Sequence, residues 1–291
     1  MKTRRILGIC ADITAICLFL YLILFPKDAT IPTREAIAFC AKTLIPSLFV
    51  YMVLSKIIIT LPITDRLSKK LGYEVLLLIA GTVCGAPVGA KNALSLYETG
   101  RISKKRAEYL CSFTNNASVS FVVGFVGGEL LKDTSVGLWL LIFQITASGI
   151  TAAVMKYCLF GRGKFEQPKY VKSAKIGLRE AISDSASTMV TLCACVIFFI
   201  VCGNAIISFF GIAPPIDALV KSVLEFSSGC ATAVRAGRAA LPLIAFSIGF
   251  TGISVMLQVK SVIESKLSVK PFLVGKIISG AVMTLLAVIF G

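Results

Sequence analysis

The stretch Cys84–Ala93 reads C-G-A-P-V-G-A-K-N-A, and after a basic segment the chain continues at Ser112–Ser120 as S-F-T-N-N-A-S-V-S. Two glycines and a proline break the apolar run that starts at Val75. In a bilayer, irregular backbone and clustered amides are tolerated only where protein or a water-filled cavity satisfies their polar groups. The stretch therefore predicts a binding site, with candidate residues Lys91, Asn92, Thr114, Asn115, Asn116 and Ser118.

The composition is typical of a membrane protein. Hydrophobic residues make up 56% of the 291 residues, charged residues 15%, and the mean hydropathy is +0.88. A helix needs about 20 apolar residues to cross roughly 30 Å of hydrocarbon. A polytopic protein in contact with the lipid bilayer is predicted, with spans at Ile6–Phe25, Thr43–Leu61, Gly137–Phe160, Met189–Gly211, Leu241–Val259 and Phe272–Phe290.

The net charge of +15 comes from basic residues in the short segments between these spans. Lysine and arginine in such loops mark the cytoplasmic side of a membrane protein, so we predict no nucleic-acid partner. No small-residue cleavage pattern follows the first apolar segment, which predicts a retained helix with a cytoplasmic N-terminus.

The ten cysteines lie mostly within or beside apolar runs, and the chain has no histidine. Metal sites and disulfide frameworks need cysteines or other ligands gathered at suitable spacing. Histidine is also the commonest general base in catalysis. We therefore predict no metal, no cofactor and no enzymatic activity.

The broken stretch predicts a re-entrant helical hairpin. Val75–Val83 is too short to cross the bilayer, and basic residues return at Arg101, so the chain enters and leaves on one side. An alternative is an interfacial helix pair whose Lys91 extends to the lipid headgroups. The second arm of the hairpin is Ala90–Leu96, and the predicted tip residues are Gly85, Pro87 and Gly89.

The segments around the hairpin are predicted to be helical. A short polar helix, Ser103–Tyr109, precedes a long apolar helix, Leu110–Leu131. Adjacent residues point about 100° apart on a helix, so at most one of Asn115 and Asn116 faces a given cavity unless the segment is unwound. The residues from Pro26 to Thr33, after the first span, are predicted to form a loop.

The two halves of the chain resemble each other. Gly85–Lys91 aligns with Gly229–Arg235, and each ends a short apolar arm in a basic residue. Phe113–Asn115 aligns loosely with Phe250–Gly252. Counting spans from the basic loops places the two units in opposite orientations. The predicted domains are an N-terminal transmembrane helix at residues 1–33, a first repeat at 34–165 and a second, inverted repeat at 166–291.

The predicted fold is thus an all-α polytopic membrane bundle with two inverted-topology repeats, each with a re-entrant helical hairpin. In such folds broken helices meet near the bilayer midplane, at the interface between the repeats. Lys91 and Arg235 would favour an anionic group, or, balanced by Asp184 and Glu225, would only hold the bundle together. The second repeat adds the candidate binding residues Ser228, Thr232, Arg235 and Thr251, with Gly229 at its hairpin tip.

Four motifs resemble those of the YlbJ-like sporulation integral membrane proteins, which belong to the nucleoside-recognition Gate domain group. They are I-P-S-L-F at Ile45–Phe49, C-G-A-P-V-G-A-K at Cys84–Lys91, G-R-I-S-x-x-x-A-E at Gly100–Glu108 and S-F-T-N-N-A-S at Ser112–Ser118. The Gate group looks distantly similar to concentrative nucleoside transporters, whose hairpins and broken helices bind nucleoside and sodium. This similarity implies a ligand-facing set in the first half made of Lys91, Asn92, Asn115, Asn116 and Ser118.

The resemblance implies a role in endospore formation. Together with the broken segments it predicts a multi-pass protein of the bacterial cell membrane, with a transporter-like fold, that binds or passes a small polar solute. The alternative is a structural or assembly protein of the spore membranes that keeps the fold without transporting. An oligomer is compatible with both hypotheses.

Overall fold

A computed structural model describes residues 2–161, 163, 165, 176–263 and 265–290, with side chains from residue 12 onward, and every regular element in this part of the chain is helical. The predicted boundary between the repeats, at residues 165 and 166, borders residues 166–175, which lie outside the described part. The α-helices are α1 (Lys2–Leu24), α2 (Pro26–Phe39), α3 (Ile45–Ile58), α4 (Pro62–Cys84), α5 (Val88–Glu98), α6 (Lys104–Cys111), α7 (Thr134–Val154), α8 (Leu178–Phe210), α9 (Ile216–Leu224), α10 (Phe226–Ala233), α11 (Ala240–Phe250), α12 (Gly252–Ile263) and α13 (Lys270–Phe290). Single turns or stretches of other helix types lie at Cys40–Leu44, Ser120–Leu130 and Met155–Phe160 (π) and at Gly237–Ala239 (3₁₀).

Five helical stretches among the described residues are long and apolar enough to cross a membrane, which confirms the predicted multi-pass membrane protein. The first predicted span, Ile6–Phe25, is helical as α1, but its described apolar part, Asp12–Leu24, is shorter than a full span. The orientation of the N-terminus stays a prediction. The five stretches are Pro26–Ile58, Thr134–Phe160, Leu178–Phe210, Gly237–Ile263 and Lys270–Phe290.

The predicted loop between Pro26 and Thr33 is wrong, because these residues form the first turns of α2. Pro26 stands in the first turn of the helix, where a backbone N–H would have no intrahelical partner, so the proline costs little there. Asp28 adds a negative charge to the same turn, which favours a helix start. The predicted domain boundary after residue 33 therefore falls inside α2.

The order of elements repeats along the chain. Each half has a long helix, then a pair of short helices, then an interrupted helix, then a second long helix. The first half consists of α2 with α3, the short pair formed by α5 and the part of α4 that follows its bend at Gly72, the interrupted helix α6 with Ser120–Leu130, and α7. The second half consists of α8, the pair α9 and α10, the interrupted helix α11 with α12, and α13. The opposite orientation of the halves, and the re-entry of the short pairs into the membrane, stay predictions.

The first short pair is bent and broken at glycines with positive φ. Gly72 (φ 80°) bends α4, and Gly85 (φ 78°) ends it, both in a conformation that residues with a Cβ rarely adopt. Gly85 and Pro87 lie at the break, as predicted. Gly89 lies instead in the first turn of α5, where its lack of a side chain lets the helix approach the backbone of Thr114.

The break in the second short pair lies at Glu225, between α9 and α10, and not at the predicted Gly229. Gly229 lies within α10 against Ser222 of α9, and a Cβ there would come within 2.5 Å of the Ser222 hydroxyl oxygen. Its role is close packing of the two short helices rather than a turn.

Contacts between the halves bring the breaks together. The long helices α2 and α3 pack on α8, and α7 packs on α13. The first short pair contacts the second interrupted helix through α5 and α12, and the second short pair contacts the first interrupted helix through α10 and Ser120–Leu130. This reciprocal packing places both breaks and both interruptions in the middle of the bundle.

Candidate functional site

The first break is bonded to the first interrupted helix, whose residues 115–118 have no helical structure. The Ala86 N–H donates to the Asn116 carbonyl at 2.8 Å. Asn115 is fully buried; its Oδ1 accepts from the Ala90 N–H at 2.8 Å and its Nδ2 donates to the Cys111 carbonyl at 2.9 Å. Asn115 thus fixes the start of α5 against the end of α6.

The unwound backbone is satisfied by a side chain of α7. Gln144 accepts from the Ala117 N–H at 3.2 Å and donates to the Ala117 carbonyl at 3.0 Å. Asn116 is held in the same way, because its Nδ2 donates to Thr82 at 3.2 Å and its Oδ1 accepts from Ser148 at 3.1 Å. Non-helical backbone at membrane depth requires such internal partners.

Replacing Gln144 with leucine should therefore destabilise the protein, because it leaves two buried backbone groups of Ala117 unpaired at a cost of about 1–3 kcal/mol each. The measurement is thermal unfolding of the purified protein in detergent. The matched control on the same helix is Thr151→Val, since the fully buried Thr151 hydroxyl has no hydrogen-bond partner within the described part of the chain. Equal unfolding temperatures for the two variants would contradict the assigned role of Gln144.

The second break is stabilised by hydrogen bonds to the carboxylate of Glu225. Glu225 is fully buried and accepts from the Ser227 N–H at 3.1 Å, the Ser227 hydroxyl at 2.6 Å and the Ser228 N–H at 2.8 Å. It thereby caps the N-terminus of α10, where a negative charge is favoured. The second interrupted helix breaks nearby at Thr251 (φ 63°).

Both breaks and both interruptions line one small cavity of about 30 Å³, here called the central cavity. Leucine, valine and phenylalanine side chains form most of the remainder of its wall, and Gln258 of α12 adds one polar side chain outside the breaks. Its volume matches roughly one water molecule. The residues from the breaks and interruptions are Gly85, Ala86, Asn116, Ala117, Ser118, Glu225, Phe226, Ser227 and Thr251.

A larger cavity of about 330 Å³ lies among α3, α5, α8 and α12, here called the lysine cavity. Lys91 of α5 meets Asp184 of α8, with Nζ to Oδ2 at 2.5 Å, and Lys56 of α3 pairs with the same carboxylate. Lys91 also donates to the Asp184 carbonyl at 3.1 Å and to the Thr188 hydroxyl. Two ammonium groups therefore share one carboxylate, and both lysine side chains are only 16% exposed.

A third cavity of about 320 Å³ lies among α2, α8, α9 and α10, here called the arginine cavity. Its polar lining includes Glu35, Asn204, Lys221 and Arg235. Arg235 Nη2 lies 3.8 Å from Asp217 Oδ2 and its side chain is largely exposed, so the predicted balance by Glu225 is not what the structure shows. The lysine and arginine cavities involve corresponding elements of the two halves.

The predicted site residues are thus distributed over several cavities rather than gathered in one. Thr114 and Asn115 line none of the three, because the Thr114 hydroxyl bonds back to the Leu110 carbonyl and both amide atoms of Asn115 are used in packing. The lysine cavity is lined by Lys91 and Asn92, the central cavity by Asn116, Ser118 and Thr251, and the arginine cavity by Ser228, Thr232 and Arg235.

Sequence reasoning missed two contributors. Lys56 was one basic residue inside an apolar run, which the sequence alone does not pair with Asp184. Gln144 was one amide among several polar residues of α7, and only the unwinding of residues 115–118 gives it a specific task. A basic or amide side chain within a predicted span was the available signal in both cases.

No family model and no solved structure matches the chain. The chain is similar to the sporulation integral membrane protein YlbJ of Bacillus subtilis (strain 168), with 22% identity over 253 residues. The match covers 72% of this chain and 62% of the length of that protein. This similarity confirms the resemblance to the YlbJ-like sporulation integral membrane proteins that the four motifs predicted.

Proposed function

We propose that the protein acts in endospore formation by binding a small polar solute and passing it across a membrane, with a fold related to that of nucleoside transporters. The observation that carries the proposal is the central cavity, where the breaks of both halves meet. Inverted repeats with discontinuous helices at their interface form the substrate sites of many secondary transporters. The repeated element order and the reciprocal packing of the short pairs support this proposal.

The residues of the lysine cavity suit a polar ligand with an acidic group. Lys56 and Lys91 offer two donors that a single carboxylate, Asp184, already occupies. Hydroxyl and amide groups on the facing helices, among them Ser95 and Gln258, can hydrogen-bond the remainder of the solute. In this proposal, Asp184 holds the lysines when the site is empty and yields one of them when a solute binds.

The central cavity shares Gln258 with the lysine cavity and Ser227 with the arginine cavity, and it is far smaller than either. Its volume of about 30 Å³ admits about one water molecule but not a solute. Passage therefore requires the two breaks to separate. Two contacts would have to break or move as a unit in this separation. They are the Ala86 to Asn116 hydrogen bond and the cap formed by Glu225.

The test measures whether accessibility of the lysine cavity depends on the state of the arginine cavity. In the variant S95C/S228C, one cysteine lines the lysine cavity and the other lines the arginine cavity. We expect that attaching a bulky thiol reagent at position 95 changes the labelling rate at position 228 at least about fivefold, and the reverse, because both sites report one conformational equilibrium. Mass spectrometry of peptides from labelled membrane vesicles gives the rates.

The native cysteines supply controls in the same sample. Cys158 is exposed near the end of its helical stretch and should label at a constant rate, whereas Cys111 and Cys230 are buried and should not label. Labelling at positions 95 and 228 that is independent would count against solute passage. That result would favour a scaffold of the spore membranes that has kept the fold.

A further inference from the structure

The first part of α4, from Pro62 to Leu71, has an amphipathic surface outside the cavities described above. Ile63, Leu67 and Leu71 are 55%, 42% and 51% exposed and follow one another at four-residue spacing, which places them on one face. Arg66, Lys69 and Lys70 are exposed on the adjoining face. An exposed apolar stripe beside basic residues is typical of a helix lying at the membrane interface.

The basic residues of this segment are uncompensated within the described part of the chain. The two nearby acids are already paired, since Asp65 lies 3.1 Å from Arg101 Nε and Glu74 lies 2.8 Å from Arg106 Nη2. Arg101 and Arg106 are held inside the protein by these pairs. Arg66, Lys69 and Lys70 therefore present a net positive charge outward.

An apolar groove of about 320 Å³ adjoins this basic surface. It runs between α3 and the second part of α4, and Leu67 belongs both to the exposed stripe and to the groove. Several of its lining residues are exposed and would face hydrocarbon in a membrane. The apolar lining includes Tyr51, Leu54, Ile58, Leu76, Ile79 and Val83.

We propose that this groove and the basic surface together bind one anionic phospholipid. An acyl chain occupies the groove between α3 and α4, and the phosphate lies at Arg66, Lys69 and Lys70. Charge complementarity favours an anionic headgroup, and the continuity of groove and basic surface through Leu67 favours a lipid over a free anion. Lipid binding at this site does not require that the protein passes a solute.

The lipid site shares a wall with the lysine cavity. The Asn92 Nδ2 donates to the Ser55 hydroxyl at 2.8 Å, and both residues line the groove while Asn92 also lines the lysine cavity. A bound acyl chain supports this wall from the hydrocarbon side.

The test is native mass spectrometry of the full-length protein in detergent with added phosphatidylglycerol or phosphatidylcholine. We expect preferential retention of one phosphatidylglycerol molecule and at least a tenfold loss of that retention in R66Q/K69Q/K70Q, since each basic residue near a headgroup contributes to binding. The matched control is K104Q/K105Q, which removes two exposed lysines of α6 away from the groove and should retain the lipid.

A second pair of variants tests the groove itself. A80W fills the groove and should reduce phosphatidylglycerol retention, whereas V75W, on the same helix outside the groove, should not. Circular dichroism and gel filtration verify that all variants are folded. Equal retention of both lipids, equal retention by R66Q/K69Q/K70Q and the parent protein, or thermal stabilisation by inorganic phosphate as large as that by phosphatidylglycerol would overturn the proposal.

Discussion

Replacing Gly81 or Gly89 with alanine is expected to lower strongly both the stability of the protein and its amount in the membrane. A Cβ on Gly81 would lie 1.7 Å from the Thr114 carbonyl oxygen, and a Cβ on Gly89 would lie 2.3 Å from the same atom. The obstructing atom is backbone, so no side-chain rotation relieves the contact. Separating the helices would also disturb the Ala86 to Asn116 bond. We expect a loss of about 3 kcal/mol or more, the upper end of overpacking costs.

That loss is a large share of a total stability of about 5–15 kcal/mol. The measurement is the amount of protein in membranes and its unfolding temperature in detergent. Gly124→Ala is the matched control, because nothing lies within 4 Å of a Cβ at Gly124. If G81A and G124A accumulate equally, the close packing of the first short pair on Thr114 is not what holds this part of the protein.

Replacing Asp184 with alanine is expected to have the second largest effect. It leaves the ammonium groups of Lys56 and Lys91 facing each other without the carboxylate that both contact. Removing one partner of a buried ion pair leaves an uncompensated charge. We expect a loss of about 2–3 kcal/mol, below the fully buried value because the Asp184 side chain is 37% exposed.

The variant D184A/K56M/K91M separates stability from function. Removing both lysines should restore the unfolding temperature, since an apolar replacement of an ion cluster is often neutral. It should not restore sporulation, because the proposed ligand-binding groups are gone. E98A is the control in the same cavity, since Glu98 pairs with Lys266 at the surface and such pairs contribute little. Sporulation by the triple variant at parental frequency would exclude the lysine cavity as the solute site.

The sequence predicted the first break well and the second poorly, for a physical reason. Gly85 and Pro87 interrupt a helix by their backbone chemistry, which can be recognised from residue type alone. The second break contains neither residue. It forms at Glu225 because the carboxylate caps the following helix, and an acid in an apolar segment does not by itself specify a break.

The sequence also did not predict which of the candidate asparagines would reach a cavity. Helical geometry predicted that at most one of two adjacent asparagines would face a cavity. Residues 115–118 are unwound, and still only Asn116 reaches the central cavity, because both amide atoms of Asn115 bond to the backbone of α5 and α6. Contacts with other segments of the chain decide which of the two asparagine side chains bonds to the backbone and which faces the cavity. The residues of the motif alone do not specify those contacts.

The long helix α8 has a consequence for how the two large cavities relate. Asp184 and Thr188 line one of them, and Ile200 and Asn204 line the other. Twenty residues of helix rise about 30 Å, the thickness of the hydrocarbon layer. The helix α8 thus lines both the lysine cavity and the arginine cavity, at positions about 30 Å apart along its axis. If α8 tilts about its middle while the two breaks separate, the lysine cavity widens as the arginine cavity narrows, and the proposed solute would then reach only one of them at a time.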